Sequence, residues 1–405
     1  MVKEWPVSPI GDIFEFKNGL NKGKEFFGYG TPIVNYTDVY HNTGLFEKDI
    51  KGRVCLTKDE IRRFEVKKND VFFTRTSETP EEVGLSSVLL EDIEDCVFSG
   101  FVLRGRPKKD DLYGEYCKYC FSTKTVRTEI VQNCTYTTRA LTNGKVLSKI
   151  VIPIPPKPEQ EEIAKALSSF ECYIKDLDEL IEKKKGIRDG ALGDLTSGRT
   201  RIKGFDSKWR ECSINDITRT IITGGTPSTS RPEYYNGNIP WLSSTEIHQK
   251  HITKPTTYIT ELGLQNSSSK LAPKGSVLIA LAGQGKTRGT AAYLMNEMAL
   301  NQSLAALVTN DYCNSEFLYY LIESMYLPLR ELSSGDGGRG GLNKKLIKGI
   351  SITIPVDVKE QEAIAETLSA MDAEIGALEA EKEKINQIRE GAMDDLLTGR
   401  VRLTK

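Results

Sequence analysis

The sequence predicts an α+β protein built as a cyclic repeat. Two similar mixed α/β domains are joined by two long helices that pack on one another, and a pseudo-two-fold axis relates the halves. Three observations carry this reading. Glu159–Arg199 returns as Glu360–Arg400, with Gln160 to Gln361 and Arg199 to Arg400 both separated by 201 positions. Each copy has the period of a coiled-coil helix. The stretches ahead of the two copies also repeat, though more loosely. Self-similarity at a fixed period means that each copy is the same structural unit, so it constrains the fold before local propensity does.

Residues 1 to about 150 form the first globular region. Short apolar runs bounded by turn residues predict strands at Thr31–Val39, Val54–Leu56, Asp70–Thr74, Ser86–Leu90, Val97–Leu103 and Lys149–Ile154. Tyr113–Ser122 reads as a helix. The first rod follows, with Ile163, Leu167, Phe170, Ile174, Leu177 and Ile181 alternately four and three apart. Ile364, Leu368, Met371, Ile375 and Leu378 do the same in the second rod. That spacing is a coiled-coil seam with charge on the other faces. Prolines (Pro153–Pro158 and Pro355) precede each rod. Glu159 and Glu360 fall in the first turns, where the helix dipole favours an acid. Gly198 and Gly399 stand where helices stop. Forty residues at about 1.5 Å each make a rod of roughly 60 Å. An apolar seam without a partner is satisfied if the rods pack on each other; the alternative is two amphipathic helices, each lying on its own globule.

Thr200–Lys208 is a polar, basic linker, and the second globular region runs from 209 to about 350. Trp209 answers Trp5, Ile239–Ile247 answers Thr31–Val39, and Phe317–Ile322 answers Tyr116–Phe121. Arg339, Asn343 and Pro355 answer Arg139, Asn143 and Pro155. The globules differ far more than the rods do, which suggests one shared job for the rods and different targets for the globules. The first rod runs into Gly198-Arg-Thr-Arg-Ile202 and on to Trp209, whereas the second runs into Gly399-Arg-Val-Arg-Leu403. The repeat is therefore cyclic, with termini expected to lie close together, as a pseudo-two-fold pair requires.

Composition narrows the function classes. The chain of 405 residues is 39% hydrophobic, ample for two cores. No apolar run approaches a membrane span and Met1–Trp5 does not open a signal peptide, so a cytoplasmic location and no membrane partner are expected. Eight cysteines without a framework spacing fit reduced thiols. A net charge of −1 means that any nucleic-acid surface is a local patch, offset by the Glu-rich rods.

Ala280–Thr287 fits a relaxed phosphate-loop pattern after an apolar run, but Arg288-Gly-Thr290 does not open a helix whose dipole could hold phosphates. Cys117 and Cys120 form a CxxC without a second pair nearby, and the second half has Leu318 and Leu321 in their places, so they read as core. The three histidines form no repeating constellation. No catalytic residue, bound cofactor or metal site is assigned to this chain.

The loops are more informative. In the second half they supply Thr226, Ser228, Arg231, Tyr234, Tyr235, Gln284, Lys286, Arg288, Arg339, Asn343, Lys344 and Lys345. In the first half they supply Lys22, Lys24, Tyr29, Arg75, Thr76, Tyr136, Arg139, Asn143 and Lys145. Arg, Lys, Asn and Gln read base edges or hold phosphates, hydroxyls hold phosphates, and the interspersed glycines permit close backbone approach. Their recurrence at equivalent places in both halves points to double-stranded DNA.

At this point the chain resembles, over essentially its whole length, the DNA-specificity subunit of type I restriction–modification systems. The residues that carry the resemblance are Gly225–Ser228 with Tyr234–Leu242, Ile350–Pro355 leading to Glu360-Gln361, Ile154-Pro155 leading to Glu159-Gln160, and the endings Leu195–Arg199 and Leu396–Arg400. The first globule lacks the Gly-Thr-Pro and Ile-Pro-Trp signatures. The resemblance implies target-recognition domains at residues 1–153 and 201–353 and helical regions at 154–200 and 354–405. It implies that each domain reads half of a split, asymmetric site. The rods would form an antiparallel coiled coil that sets the spacing and docks partners. Those partners would be two modification (methyltransferase) subunits and two restriction/motor subunits, with S-adenosylmethionine, ATP and Mg on them rather than on this chain.

Two other readings remain: a binding-only adaptor whose globules take something other than DNA, and an NTPase using Ala280–Thr287. Steep loss of duplex binding with rising salt separates the first from DNA recognition. For the second, the isolated chain and its Lys286→Ala variant are both expected to show no ATP binding by calorimetry; binding by the parent that the variant loses would establish the NTPase.

Overall fold

Two four-residue runs have every side chain buried, Val71–Thr74 and Val277–Ala280. A strand with no exposed face belongs in the middle of a covered sheet. In the computed structural model, which describes residues 5–283, 286–332 and 341–403, both runs are the central strand of a five-stranded sheet. In one half the strand order is Phe14–Asn18, Val102–Pro107, Val71–Thr74, Ser86–Leu89, Gly44–Leu45. In the other it is Thr218–Thr223, Leu304–Thr309, Val277–Ala280, Ala291–Leu294, His251–Ile252. The pairings match: the last strand of each sheet is parallel to its neighbour and the rest are antiparallel. A second, smaller sheet is built around Phe27–Val34 in one half and Tyr235–Leu242 in the other. A two-stranded ribbon, Val7–Pro9 with Val151–Pro153 or Trp209–Ser213 with Ser351–Pro355, joins each globule to its helix.

Three expected elements change. The predicted strand Thr31–Val39 is cut at Val34. The Asn35 backbone N–H donates to the Asp38 carboxylate at 2.8 Å, part of a capping box that starts the helix Tyr36–His41. The run Val97–Leu103 splits at Ser99-Gly100. Val97–Phe98 pairs in the small sheet and Val102–Pro107 in the large one, so one apolar run serves two sheets. Tyr113–Ser122 contains only a short 3-10 helix, Gly114–Lys118. Its Tyr116, Cys117, Tyr119, Cys120 and Phe121 are all buried, so packing on every side overrides a regular amphipathic helix. The CxxC thus fills core, and burial pushes the Cys120 thiol well up.

The rods are α1 (Lys157–Ser197) and α2 (Val358–Leu397). Each stops before a glycine in the left-handed region, Gly198 at φ +73° and Gly399 at φ +74°. Residues Met1–Asp178 with Ala380–Lys405 make one compact unit and Glu179–Glu379 the other, so each unit holds part of both rods. Within each unit the rod segments run antiparallel. In the first, Ile163, Ala164 and Leu167 pack with Leu396 and Leu397, while Tyr173 and Asp178 meet Glu381 and Lys382. In the second, Ile364, Ala365 and Leu368 pack with Leu192 and Leu195, while Lys184 meets Glu374. The seam is not sealed by rod against rod alone. Ile163, Leu167, Ile364 and Leu368 belong to the globular cores, Leu177, Ile181 and Ile375 are buried further along, and Phe170, Ile174, Met371 and Leu378 are half-buried.

The first-turn glutamates do more than complement a dipole. Both are 0% exposed. Glu159 accepts two bonds from Arg402, both 2.5 Å, and one from the Trp5 indole at 3.1 Å. Glu360 accepts two from Arg201, both 2.7 Å, and one from the Trp209 indole at 3.4 Å. A Cβ on Gly399 or Gly198 would meet the corresponding indole ring at 3.2 or 3.3 Å, so each glycine also serves as a seat for its tryptophan. The next residue completes the joint. Gln160 accepts from the Tyr113 N–H at 2.7 Å and donates to Pro155 and Asp111 carbonyls at 2.9 Å. Gln361 accepts from Asn314 N–H at 2.8 Å and donates to Pro355 and Tyr312 carbonyls at 2.9 and 3.1 Å. The Glu-Gln pair is thus a mirrored hinge-pin between rod and globule.

The Arg402 guanidinium beside Glu159 holds its carboxyl below the usual carboxylate range. A depressed folded-state pKa contributes stability that is present above the unfolded value of about 4.3 and is lost as pH falls through the folded value. Breaking a buried pair leaves the remaining charge uncompensated, so Glu159→Ala is expected to cost about 3–5 kcal/mol at pH 7 by denaturant unfolding. Glu159→Gln is expected to flatten the acid-side loss of stability below pH 5.

Candidate nucleic-acid interface

The recognition loops are built on backbone features that glycine permits. In the second unit Gly224 lies so close to the Leu300 carbonyl that a Cβ would stand 1.7 Å from its oxygen, and the Gly225 N–H donates to the same carbonyl at 3.0 Å. Trp241 donates its indole N–H to the Gly225 carbonyl at 3.2 Å, and Tyr235 donates its hydroxyl to the Pro227 carbonyl at 2.6 Å. The Gly-Thr-Pro and Ile-Pro-Trp signatures are therefore scaffolding that holds the loop rigid. Thr226, Ser228 and Arg231 face solvent from it; the Thr226 hydroxyl donates to Gln302 at 2.6 Å, and Arg231 lies 3.3 Å from Glu233. Tyr234 is half-buried behind Gly263. The first unit makes the same loop without the signature: Leu20 N–H donates to the Phe98 carbonyl at 2.9 Å, and Gly19 lies on the Ser99 carbonyl.

In the first unit the candidates fall into two groups. Thr76–Ser77, Thr135–Tyr136 and Ala140–Leu141 form a three-stranded sheet that brings Thr76, Tyr136 and Arg139 together. Tyr136 is exposed at its edge, and Arg139 stands 3.8 Å from Glu78. Arg75, Asn143 and Lys145 line one groove of about 490 Å³ with Lys17 and Lys108. Burial, together with Arg104, Arg63 and Arg106, holds the Lys17 ammonium below its ordinary pKa, a sign of crowded positive charge that an anion would relieve. Tyr29 is thrown outward between Gly28 and Gly30, at φ +101° and +93°, where the register slips against Arg53–Val54. Lys24 is exposed nearby.

Other candidates have structural work. Lys22 bonds both Glu60 oxygens at 2.7 Å and sits 4.6 Å above the Phe26 ring; that bond, with the Thr57 backbone, pulls Glu60 down to about 2. Asn143 and Asn343 both cap short helices, accepting from the N–H groups of Val146 and Leu346 at 3.1 and 3.0 Å, so their carbonyl oxygens are engaged within the chain. Lys344 and Lys345 are exposed in the first turn of the helix Asn343 caps. Lys286 is exposed and Arg288 half-buried, whereas Gln284 and Arg339 lie outside the described residues. From Lys286 the chain turns directly into the strand Ala291–Leu294, so no helix follows to face a phosphate.

Sequence reasoning placed Lys108 in a candidate loop, Arg104–Lys109, but missed Lys17 and an aromatic cluster made by Tyr36, Tyr40 and Phe101. The i, i+4 spacing of Tyr36 and Tyr40 was the available signal, hidden by reading that stretch as a strand. Among the described residues no group of three or more His, Cys, Asp or Glu could hold a metal, all eight cysteines are unpaired, and no helix is long and apolar enough to cross a membrane.

Removing the Trp241 indole N–H leaves a buried carbonyl without its donor. Trp241→Phe is expected to cost about 1–3 kcal/mol, with faster amide exchange confined to the loop around Gly224–Asn238.

The model of the type I restriction modification DNA specificity domain matches the chain twice, over residues 2–185 and 206–389. The type I restriction enzyme MjaVIII specificity subunit of Methanocaldococcus jannaschii is 24% identical over 425 residues, covering 99% of this chain and 94% of that one. The type I restriction enzyme EcoKI specificity subunit of Escherichia coli is 27% identical over 187 residues, 45% of this chain and 39% of that one. Among solved structures, the type I restriction-modification S subunit from M. genitalium superposes with a TM-score of 0.58 at 17% identity, covering 97% of this chain and 96% of the other. The HsdS subunit from Thermoanaerobacter tengcongensis gives 0.55 at 16% identity, with 98% and 97% covered. At these identities the structural likeness is one of fold.

Proposed function

This chain belongs to the type I restriction modification DNA specificity family, and from that premise we propose that it reads a bipartite, asymmetric DNA site, one half with each unit, while its rods set the spacer and seat partner subunits. Sequence recognition is the task of this family, and the chain itself is non-catalytic. Two modification (methyltransferase) subunits and two restriction/motor subunits complete the assembly, and S-adenosylmethionine, ATP and Mg are held there.

One observation carries the reading. The joints between rod and globule repeat partner for partner, Glu159–Arg402–Trp5 against Glu360–Arg201–Trp209, whereas the loops mounted on them differ in sequence. A common frame with different reading surfaces suits two unlike half-sites. In this reading the groove bearing Lys17, Lys108 and Lys145 supplies phosphate contacts that fix register, and Thr76, Tyr136, Arg139, Thr226, Ser228 and Arg231 are the side chains that read base edges. A rod of about 60 Å spans more than one turn of duplex, which recurs at about 34–36 Å.

Methylome sequencing of a host expressing the complete system tests this directly, since it returns both half-sites and the spacer. Deleting a heptad from each rod, Leu177–Lys183 with Leu378–Lys384, is expected to change the spacer and leave the half-sites unaltered. An unchanged spacer would sink the ruler, and a continuous, undivided site would sink the bipartite reading.

A further inference from the structure

The first unit carries a cup of about 450 Å³ in which Thr76 and Arg139 stand beside aromatic rings with no role assigned above. The Tyr36 and Tyr40 rings are stacked with centroids 5.7 Å apart and planes 20° from parallel, making one continuous aromatic wall. Phe101 also lines the cup and is 64% exposed. A large ring left open to water beside two others is the kind of apolar exposure that marks a binding surface. The cup's polar part is a preformed network: Glu82 accepts from the Ser77 hydroxyl at 2.6 Å and from the Tyr40 hydroxyl at 2.9 Å. These bonds hold the Glu82 carboxyl below its usual range, and the same bond raises Tyr40, so at neutral pH the carboxylate is charged and the phenol keeps its proton. A carboxylate offers about four lone-pair sites, of which two are used, leaving capacity for a further donor. Arg139 also lines the cup, bringing a cation that suits a phosphate.

We propose that this cup receives a single unstacked nucleobase carrying an exocyclic amino group (adenine, cytosine or guanine) against Tyr36, Tyr40 and Phe101, with its amine donating to Glu82. A base edge still stacked in the duplex presents a nearly flat surface and does not enter a cavity. An extruded base presents a π-face to aromatic rings and its pairing edge to a polar floor. The selectivity follows from the chemistry of the floor, because an ionised carboxylate only accepts, and adenine N6, cytosine N4 and guanine N2 are amine donors that thymine lacks. The aromatic lining is not repeated in the sequence of the second unit. In the second, where Leu242 pairs with Leu300 as Val34 pairs with Phe98, the positions of Tyr36, Tyr40 and Phe101 are held by Ser244, His248 and Ser303. This inference rests on the DNA-reading function proposed above and refines it by making the two half-sites unequal in mechanism.

The test uses the full chain with its modification subunits and duplexes bearing the mapped site, each with one nucleotide replaced by an abasic residue. Extrusion is easier when the opposing base is gone. At one adenine, cytosine or guanine of a single half-site, removing its partner is expected to tighten binding about tenfold. Phe101→Ala, a change at an exposed side chain, is expected to abolish that gain, while the binding that remains falls with salt as steeply as in the parent. Replacing the base at that position by its analogue without the amino group is also expected to abolish it. If abasic substitution never tightens binding, or tightens it equally in Phe101→Ala, the cup is not a base pocket although DNA reading stands. Absence of salt-sensitive binding to the intact mapped duplex would overturn both.

Discussion

A buried glutamate at the start of each rod is the constraint on which the rest depends. An ionised carboxyl with no exposed surface is tolerated only if it is fully paired, because the cost of removing it from water is several kcal/mol. Glu159 and Glu360 meet that demand in the same way, with a guanidinium in fork geometry and an indole N–H. In the second unit the arginine and tryptophan come from one continuous stretch, Arg201 to Trp209. In the first they come from opposite ends of the chain, Arg402 and Trp5. The same carboxylate requirement therefore explains why residues nearly four hundred positions apart converge, and why the helix-ending glycines must lack a side chain.

A second ion cluster shows that the units are alike in frame but not in detail. Arg188 of α1 is buried; burial pulls its pKa down, yet Glu323 and Asp372 outweigh that and hold it protonated, and Tyr320 adds a hydroxyl to Asp372 at 3.0 Å. One offset of 201 away in the repeat stands Arg389, with Glu171 in place of Asp372 and Ser122 in place of Glu323. Glu171 pairs with Lys118 instead, at 2.8 Å. The joints at the rod ends repeat because carboxylate, guanidinium and indole are all kept in both halves. The mid-rod cluster changes partners although Arg188 is buried, because Lys118 offers Glu171 another pairing in the first unit.

The same division separates scaffold from reading surface in the loops. Gly224, Gly225, Trp241 and Tyr235 are spent on shaping a loop, so they look like signatures without being reading residues. Asn143 and Asn343 recur at equivalent places for a comparable reason: each caps a helix that turns the chain into the ribbon leading to a rod. Side chains that project outward, such as Tyr29, Tyr136, Ser228 and Arg231, have no such obligation, and these differ between the halves.

The sequence by itself determined the repeat, the two rods, their ends and the cyclic permutation, because each leaves a one-dimensional trace: a constant offset, a seam alternating by four and three, a glycine past the last turn. It also made the family legible, because Gly225–Ser228 with Tyr234–Leu242, the Glu-Gln pairs after proline and the endings Leu195–Arg199 and Leu396–Arg400 stand together in the order globule, rod, globule, rod. Tertiary structure alone decided what those glutamates touch, because Arg402 and Trp5 carry no local mark of their partner. It decided that Val97–Leu103 serves two sheets and that Tyr36 and Tyr40 share a helical face, since a capping box overrode an apolar run that reads as strand. And it decided which polar loop residues are committed to the fold, as Lys22 is to Glu60, and which remain exposed, because burial and pairing are properties of neighbours brought together from distant parts of the chain.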